Sequence, residues 1–112
     1  MEIALPIRSL TKKTSRMYRI KPYSFAQAKK HGVTVRPSTR KGKKIDVFRD
    51  GKKVATIGAL GMGDYPTFVE EEKKGKRPVG FAESRRKAYK SRHAKNRTRL
   101  HSNGWFADKI LW

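Results

Sequence analysis

The chain has 112 residues, enough for one small domain and too few for two ordinary ones. Its 29 Lys and Arg stand against nine Asp and Glu, a formal charge of +20 that repels itself in a compact body and calls for an anionic partner. With no cysteine there is no disulfide framework, thiolate zinc site or thiol nucleophile, and no run approaches the ~20 apolar residues of a membrane span.

Mean hydropathy is low at −0.84, yet two Trp, four Tyr, five Phe and a fair set of Ile, Leu and Val supply a small core, which disordered chains lack. The opening "MEIALPIRSL" has too short an apolar run, and no small-residue cleavage pattern, to read as a signal peptide. Residues 1–21 read as a basic extended arm, with Ile3, Leu5, Ile7 and Leu10 ahead of Lys12, Lys13, Arg16 and Arg19. A compact domain over 22–112 follows. Ser24 as N-cap and Gly32 as a stop predict a helix over 24–31. "VTVRP" begins as a strand and passes into a basic, turn-rich loop.

The sharpest local pattern is "KKIDVFRDGKKVATIGA". Runs rich in Ile, Val, Phe and Thr flank Asp50-Gly51, a dipeptide suited to a two-residue hairpin turn, and predict strands over 44–49 and 52–58. Such a hairpin is marginal alone, so other elements must cover one face. After the glycine-rich "GALGMG", Asp64 as cap, Pro66 in the first turn and Gly75 as stop frame a short helix. The longest helix is expected from Phe81 to about Lys95, with Phe81, Ala88 and Tyr89 on one face, and "GWFADKILW" is expected to be helical after Gly104. No repeat recurs at a period of 20–50 residues. The fold class is therefore α+β: a small single domain with a central β-hairpin, short helices packed on it and a basic N-terminal arm.

Gly58, Gly61 and Gly63 are spaced G-x-x-G-x-G, the wrong order for a dinucleotide fingerprint, and the Gly-Lys-Ser/Thr of a nucleotide loop is missing, so they read as turn residues. His93 and His101 are eight apart without an intervening acid, so the i, i+4 zinc pair is missing; no metal and no cofactor are expected. Acids are too few and too scattered for a hydrolytic site: Glu70–Glu72 look like a helix-end charge set, and Glu83 and Asp108 stand alone.

"SRRKAYKSRHAKNRTR" points elsewhere. Half of Ser84–Arg99 is Lys or Arg, with no Asp or Glu to offset it, whereas solvated faces normally mix signs. Arg85, Arg86, Lys87, Lys90, Arg92, Lys95, Arg97 and Arg99 would meet phosphates, joined by the arm cations Lys12, Lys13, Arg16 and Arg19. Tyr89 and His93 interleave with them and could stack on bases. For the C-terminal patch two readings stay open: Trp105, Phe106, Ile110, Leu111 and Trp112 complete the domain's core, or they dock a partner as aromatic hot-spot residues do.

The basic hairpin Ile45–Ile57 with its glycine-rich exit Gly58–Gly63, then Asp64-Tyr65, Tyr89, Arg92-His93, Gly104-Trp105-Phe106 and Leu111-Trp112, resembles a family of small basic uncharacterised proteins. These are encoded by large double-stranded DNA viruses of algae and protists and by some phages. The resemblance spans about residues 43–112. It implies a virion or virus-factory component rather than an enzyme, located in the virion or, during assembly, in the host cytoplasm.

The leading expectation is a non-enzymatic virion structural protein, a minor capsid or internal protein within a large assembly. It would bind capsid proteins, packaged genomic DNA, or both, without sequence specificity. The alternative is a ribosomal or other structured-RNA-binding protein, which composition suits equally. A weaker third reading is a nucleic-acid enzyme whose site a partner completes, drawing on His93 and Asp108.

Overall fold

The computed structural model describes residues 18–112, so Lys12, Lys13 and Arg16 of the expected arm lie outside the described residues. The chain runs α1 (Pro22–Lys30), β1 (Thr34–Pro37), β2 (Lys43–Arg49), β3 (Lys52–Ala59), α2 (Tyr65–Lys73), α3 (Phe81–Arg92), α4 (Ala94–Arg97) and α5 (Asn103–Leu111). The fold is α+β, with a three-stranded antiparallel sheet in the order β1-β2-β3.

The hairpin forms where the turn chemistry puts it. Asp50 and Gly51 take φ of 52° and 81°, the paired left-handed angles of a tight hairpin turn, and Arg49 pairs with Lys52 across it. Alternation then sorts the faces. Val35, Val47 and Ala55 form one cross-strand row and Ile45 pairs with Ile57; all five are buried. The opposite parity carries Arg36, Asp46 and Thr56. There Asp46 is buried as well, accepting hydrogen bonds from the hydroxyls of Ser38 (2.7 Å) and Thr56 (3.0 Å).

α5 and α1 cover the apolar side of the sheet. Phe106, Ile110 and Leu111 are at most 2 % exposed and join Ile20, Ala28, Phe68 and Ala82 in one core. Burying each large side chain contributes about 1.5–3 kcal/mol. α1 is fastened to α5 by two hydrogen bonds: Ser24 Oγ donates to the Ile110 carbonyl (2.8 Å) and Gln27 Nε2 to that of Lys109 (3.1 Å).

Four expectations shift. α1 starts at Pro22 rather than Ser24, because a proline's fixed φ suits the first helical position; Ser24 is an interior residue with a buried hydroxyl, and Lys21 holds the cap position without a side-chain bond. The arm boundary moves too, for Tyr18 and Ile20 already pack on the core. The long basic helix does not run unbroken to Lys95. At His93 (φ −107°, ψ 24°) the backbone leaves helical geometry, and the Lys90 carbonyl accepts from Arg97 Nε (2.9 Å). α5 starts at Asn103, where the Ser102 hydroxyl caps the Trp105 N–H (3.1 Å).

Candidate nucleic-acid interface

α3 and α4 bring the basic residues together but divide them into two groups. Arg85, Lys87, Arg92, Lys95 and Arg99 are exposed. The other three are held by the domain. The Arg86 guanidinium lies over the Tyr65 ring (4.7 Å) and 3.8 Å from Glu83. Lys90 Nζ sits 2.7 Å from Oδ1 of Asp108, whose side chain is fully buried. Arg97 closes the α3–α4 break. Arg19, on the described end of the arm, is exposed. Spacing on a helix shows which cations share a face; it does not show that Asp108, eighteen residues on from Lys90, is buried beneath one of them.

The C-terminal patch is core rather than docking surface. Phe106, Ile110, Leu111 and Trp112 are buried, and of the five aromatic and aliphatic residues expected at a partner only Trp105 is half-exposed. Their apolar surface has the sheet and α3 as its partners. Trp112 stacks on Tyr89 (centroids 4.4 Å, 8° between planes), and Tyr89 meets His93 at 4.4 Å and 33°. Three rings therefore run outward from the core, ending in two that are half-exposed.

Those two rings stand in a cleft between β3 and the α3–α4–α5 turn. One lobe, of about 350 Å³, has Lys43, His93, Asn96, Arg99 and Asn103 on its walls. A second, of about 280 Å³, has Lys44, Arg85, Arg92 and Trp112. Gly58, Tyr89, His93 and Ala107 line both. Among the described residues no carboxylate lines either lobe. Gly58 keeps the floor low: it takes φ 77°, and a Cβ there would sit 2.8 Å from Leu111 and 2.9 Å from Lys44.

Beneath the second lobe lies a buried polar knot. Lys44 Nζ and the Tyr18 hydroxyl both donate to Asp64 Oδ2 (2.7 and 2.8 Å), while Lys44 also donates to the Met62 carbonyl (2.6 Å) and Asp64 Oδ1 caps the Thr67 N–H (2.9 Å). Burial, and then the Asp64 charge, push the Tyr18 phenol far above its ordinary range. Since Lys44 is only 3 % exposed and paired, it shapes the lobe more than it charges it.

Of the residues lining the cleft, sequence reasoning singled out Arg85, Tyr89, Arg92, His93 and Arg99 as nucleic-acid contacts and missed Lys43, Asn96, Asn103 and Ala107. These come from β2, α4 and α5, and only the packing of α5 along β3 assembles them. Asp108 is 1 % exposed beneath Lys90, whereas His93 faces the cleft. Among the described residues no group of three or more His, Asp and Glu is placed to hold a metal ion, and no helix is long and apolar enough to cross a membrane. The chain matches no protein-family model, and no curated protein or solved structure is significantly similar to it.

Proposed function

We propose that the chain is a non-enzymatic nucleic-acid-binding protein that contacts phosphates without sequence specificity. Its setting would be the one the resemblance implies, an internal or minor capsid protein associated with the packaged DNA of a virion. The observation that supports this reading is the exposed set Arg85, Lys87, Arg92, Lys95 and Arg99, carried along α3, α4 and the following turn without an intervening acid, with Arg85, Arg92 and Arg99 lining a cleft free of carboxylates. Surface cations that serve solubility alone are normally interspersed with acids. Cations that meet phosphates displace counterions, and their binding weakens steeply with salt.

The test is fluorescence anisotropy with a short DNA duplex across a salt series. Log affinity should fall linearly with log salt, by ~0.9 for each phosphate neutralised, and each of Arg85→Ala, Arg92→Ala and Arg99→Ala should lower that slope by about one contact or less, whatever the sequence. A slope near zero would sink the reading. Tighter binding to A-form RNA than to DNA would transfer it to structured RNA. Stepwise salt disruption of purified particles checks the setting: release of the chain with the genome fits a packaging role, retention with the shell fits a capsid contact, and absence from particles removes the virion.

A further inference from the structure

We propose that the cleft between β3 and the α3–α4 turn is a seat for one unpaired nucleotide. On this view the protein holds single-stranded or locally opened nucleic acid in preference to closed duplex. The proposal rests on the nucleic-acid reading above and narrows it.

Shape, charge and ring placement each point the same way. The larger lobe, at about 350 Å³, falls at the small end of sites that enclose a compact ligand. A duplex offers its phosphates on a convex surface with its bases turned inward, so it could touch the rim of such a cleft and leave the interior empty. A nucleotide swung out of a strand could enter. Inside, the charge is cationic from opposite walls, Lys43 from β2 and Arg99 from the turn before α5, which suits a phosphate approached from two sides.

One wall is aromatic. Tyr89 and His93 line both lobes; Tyr89 lies between the parallel ring of Trp112 and the ring of His93, so the face left for a base is that of His93, braced from behind by the stack. A braced ring loses little freedom when a base stacks on it, and every base has a π face, so recognition here would tolerate sequence. Asn96 and Asn103, on the walls of the same lobe, each offer an amide donor and acceptor to a base edge. A surface built for duplex phosphates alone needs neither the cavity nor the ring stack.

The experiment compares a labelled oligothymidylate of about fifteen nucleotides with a duplex of the same length at equal salt, by anisotropy. The wild type should bind the single strand about tenfold more tightly. Ala107→Leu fills the wall shared by both lobes without changing charge, and should abolish that preference while leaving duplex affinity as it was. His93→Ala, at the half-exposed break between α3 and α4, should weaken oligothymidylate binding several-fold and spare the duplex; it decides the matter if Ala107→Leu does not fold. Equal affinity for the two ligands in the wild type, or a preference that survives both variants, overturns the inference. Steep salt-dependent duplex binding in that case leaves the broader reading standing, whereas failure to bind either ligand removes both.

Discussion

At the scale of single residues, the buried knot around Asp64 has the most at stake. Its carboxylate is 1 % exposed and answers three donors at once, the Lys44 ammonium, the Tyr18 hydroxyl and the Thr67 N–H. Asp64→Ala would leave the Lys44 charge buried without a counter-ion, a loss of about 3–5 kcal/mol in urea unfolding. Tyr18→Phe removes one bond to a charged acceptor and should cost about 1.5–3 kcal/mol. The pH dependence has a definite sign. Burial raises the phenols of Tyr18, Tyr23 and Tyr89 above their ordinary 10.0, so their contribution is fully present below that value and is lost as pH climbs through the raised ones. Thermal midpoints should therefore decline above about pH 10, and less steeply in Tyr18→Phe. Asp46 works at the opposite end. Burial acts to raise it, but the bonds from Ser38, Thr56 and the Thr39 N–H and the nearby Lys53 outweigh that and hold it below its ordinary 3.8. Its contribution is present above that value and vanishes as pH falls through the lowered one.

At the scale of elements, what was legible from the residues followed from local chemistry. Asp50-Gly51 prescribes its own turn, and Asp64, Pro66 and Gly75 bracket α2 from cap to stop. What stayed hidden depended on partners distant in sequence. Ser24 has the chemistry of a cap and is instead held by a carbonyl eighty-six residues on; Lys90 and Arg86 look like surface charge until Asp108 and Tyr65 are packed against them. The cleft was illegible for the same reason, since Gly58 reads as a turn glycine and not as the floor that lets Leu111 and Lys44 approach. The glycine-rich loop offers a direct contrast between geometry and packing. A Cβ on Gly63 would lie 2.0 Å from the ring of Phe68, a core residue, while Gly61 (φ 91°) has open space around it. Gly63→Ala should cost about 1–3 kcal/mol through overpacking, and Gly61→Ala about 1–2 kcal/mol through backbone strain alone. Equal losses in chemical denaturation, with unchanged near-ultraviolet dichroism in both, would mean that Phe68 swings aside freely.

At the scale of the whole molecule, the small core must hold together a body whose charges repel. The apolar side of that balance converges on the C-terminal helix, where Phe106, Ile110, Leu111 and Trp112 meet the sheet, α1 and α3. The opposing side is the net charge of +20, with five exposed cations concentrated on α3, α4 and the following turn. Screening should therefore stabilise the fold: the thermal midpoint should rise as salt is increased from about 0.01 M to 0.15 M, over which the Debye length shrinks from about 30 Å to 8 Å. A polyanion should do more, because it binds the folded arc in addition to screening it. At a hundredfold excess over its dissociation constant the gain is about 2.7 kcal/mol, or roughly ten degrees for a domain of this size. Replacing Arg85, Arg92 and Arg99 together by alanine should raise the midpoint at low salt while shrinking the response to polyanion, since the same charges supply both the repulsion and the binding. A midpoint that instead fell with salt would show ion pairs such as Lys21–Glu70 and Arg77–Glu71 outweighing the repulsion, and the basic arc would then need no anion to be tolerated.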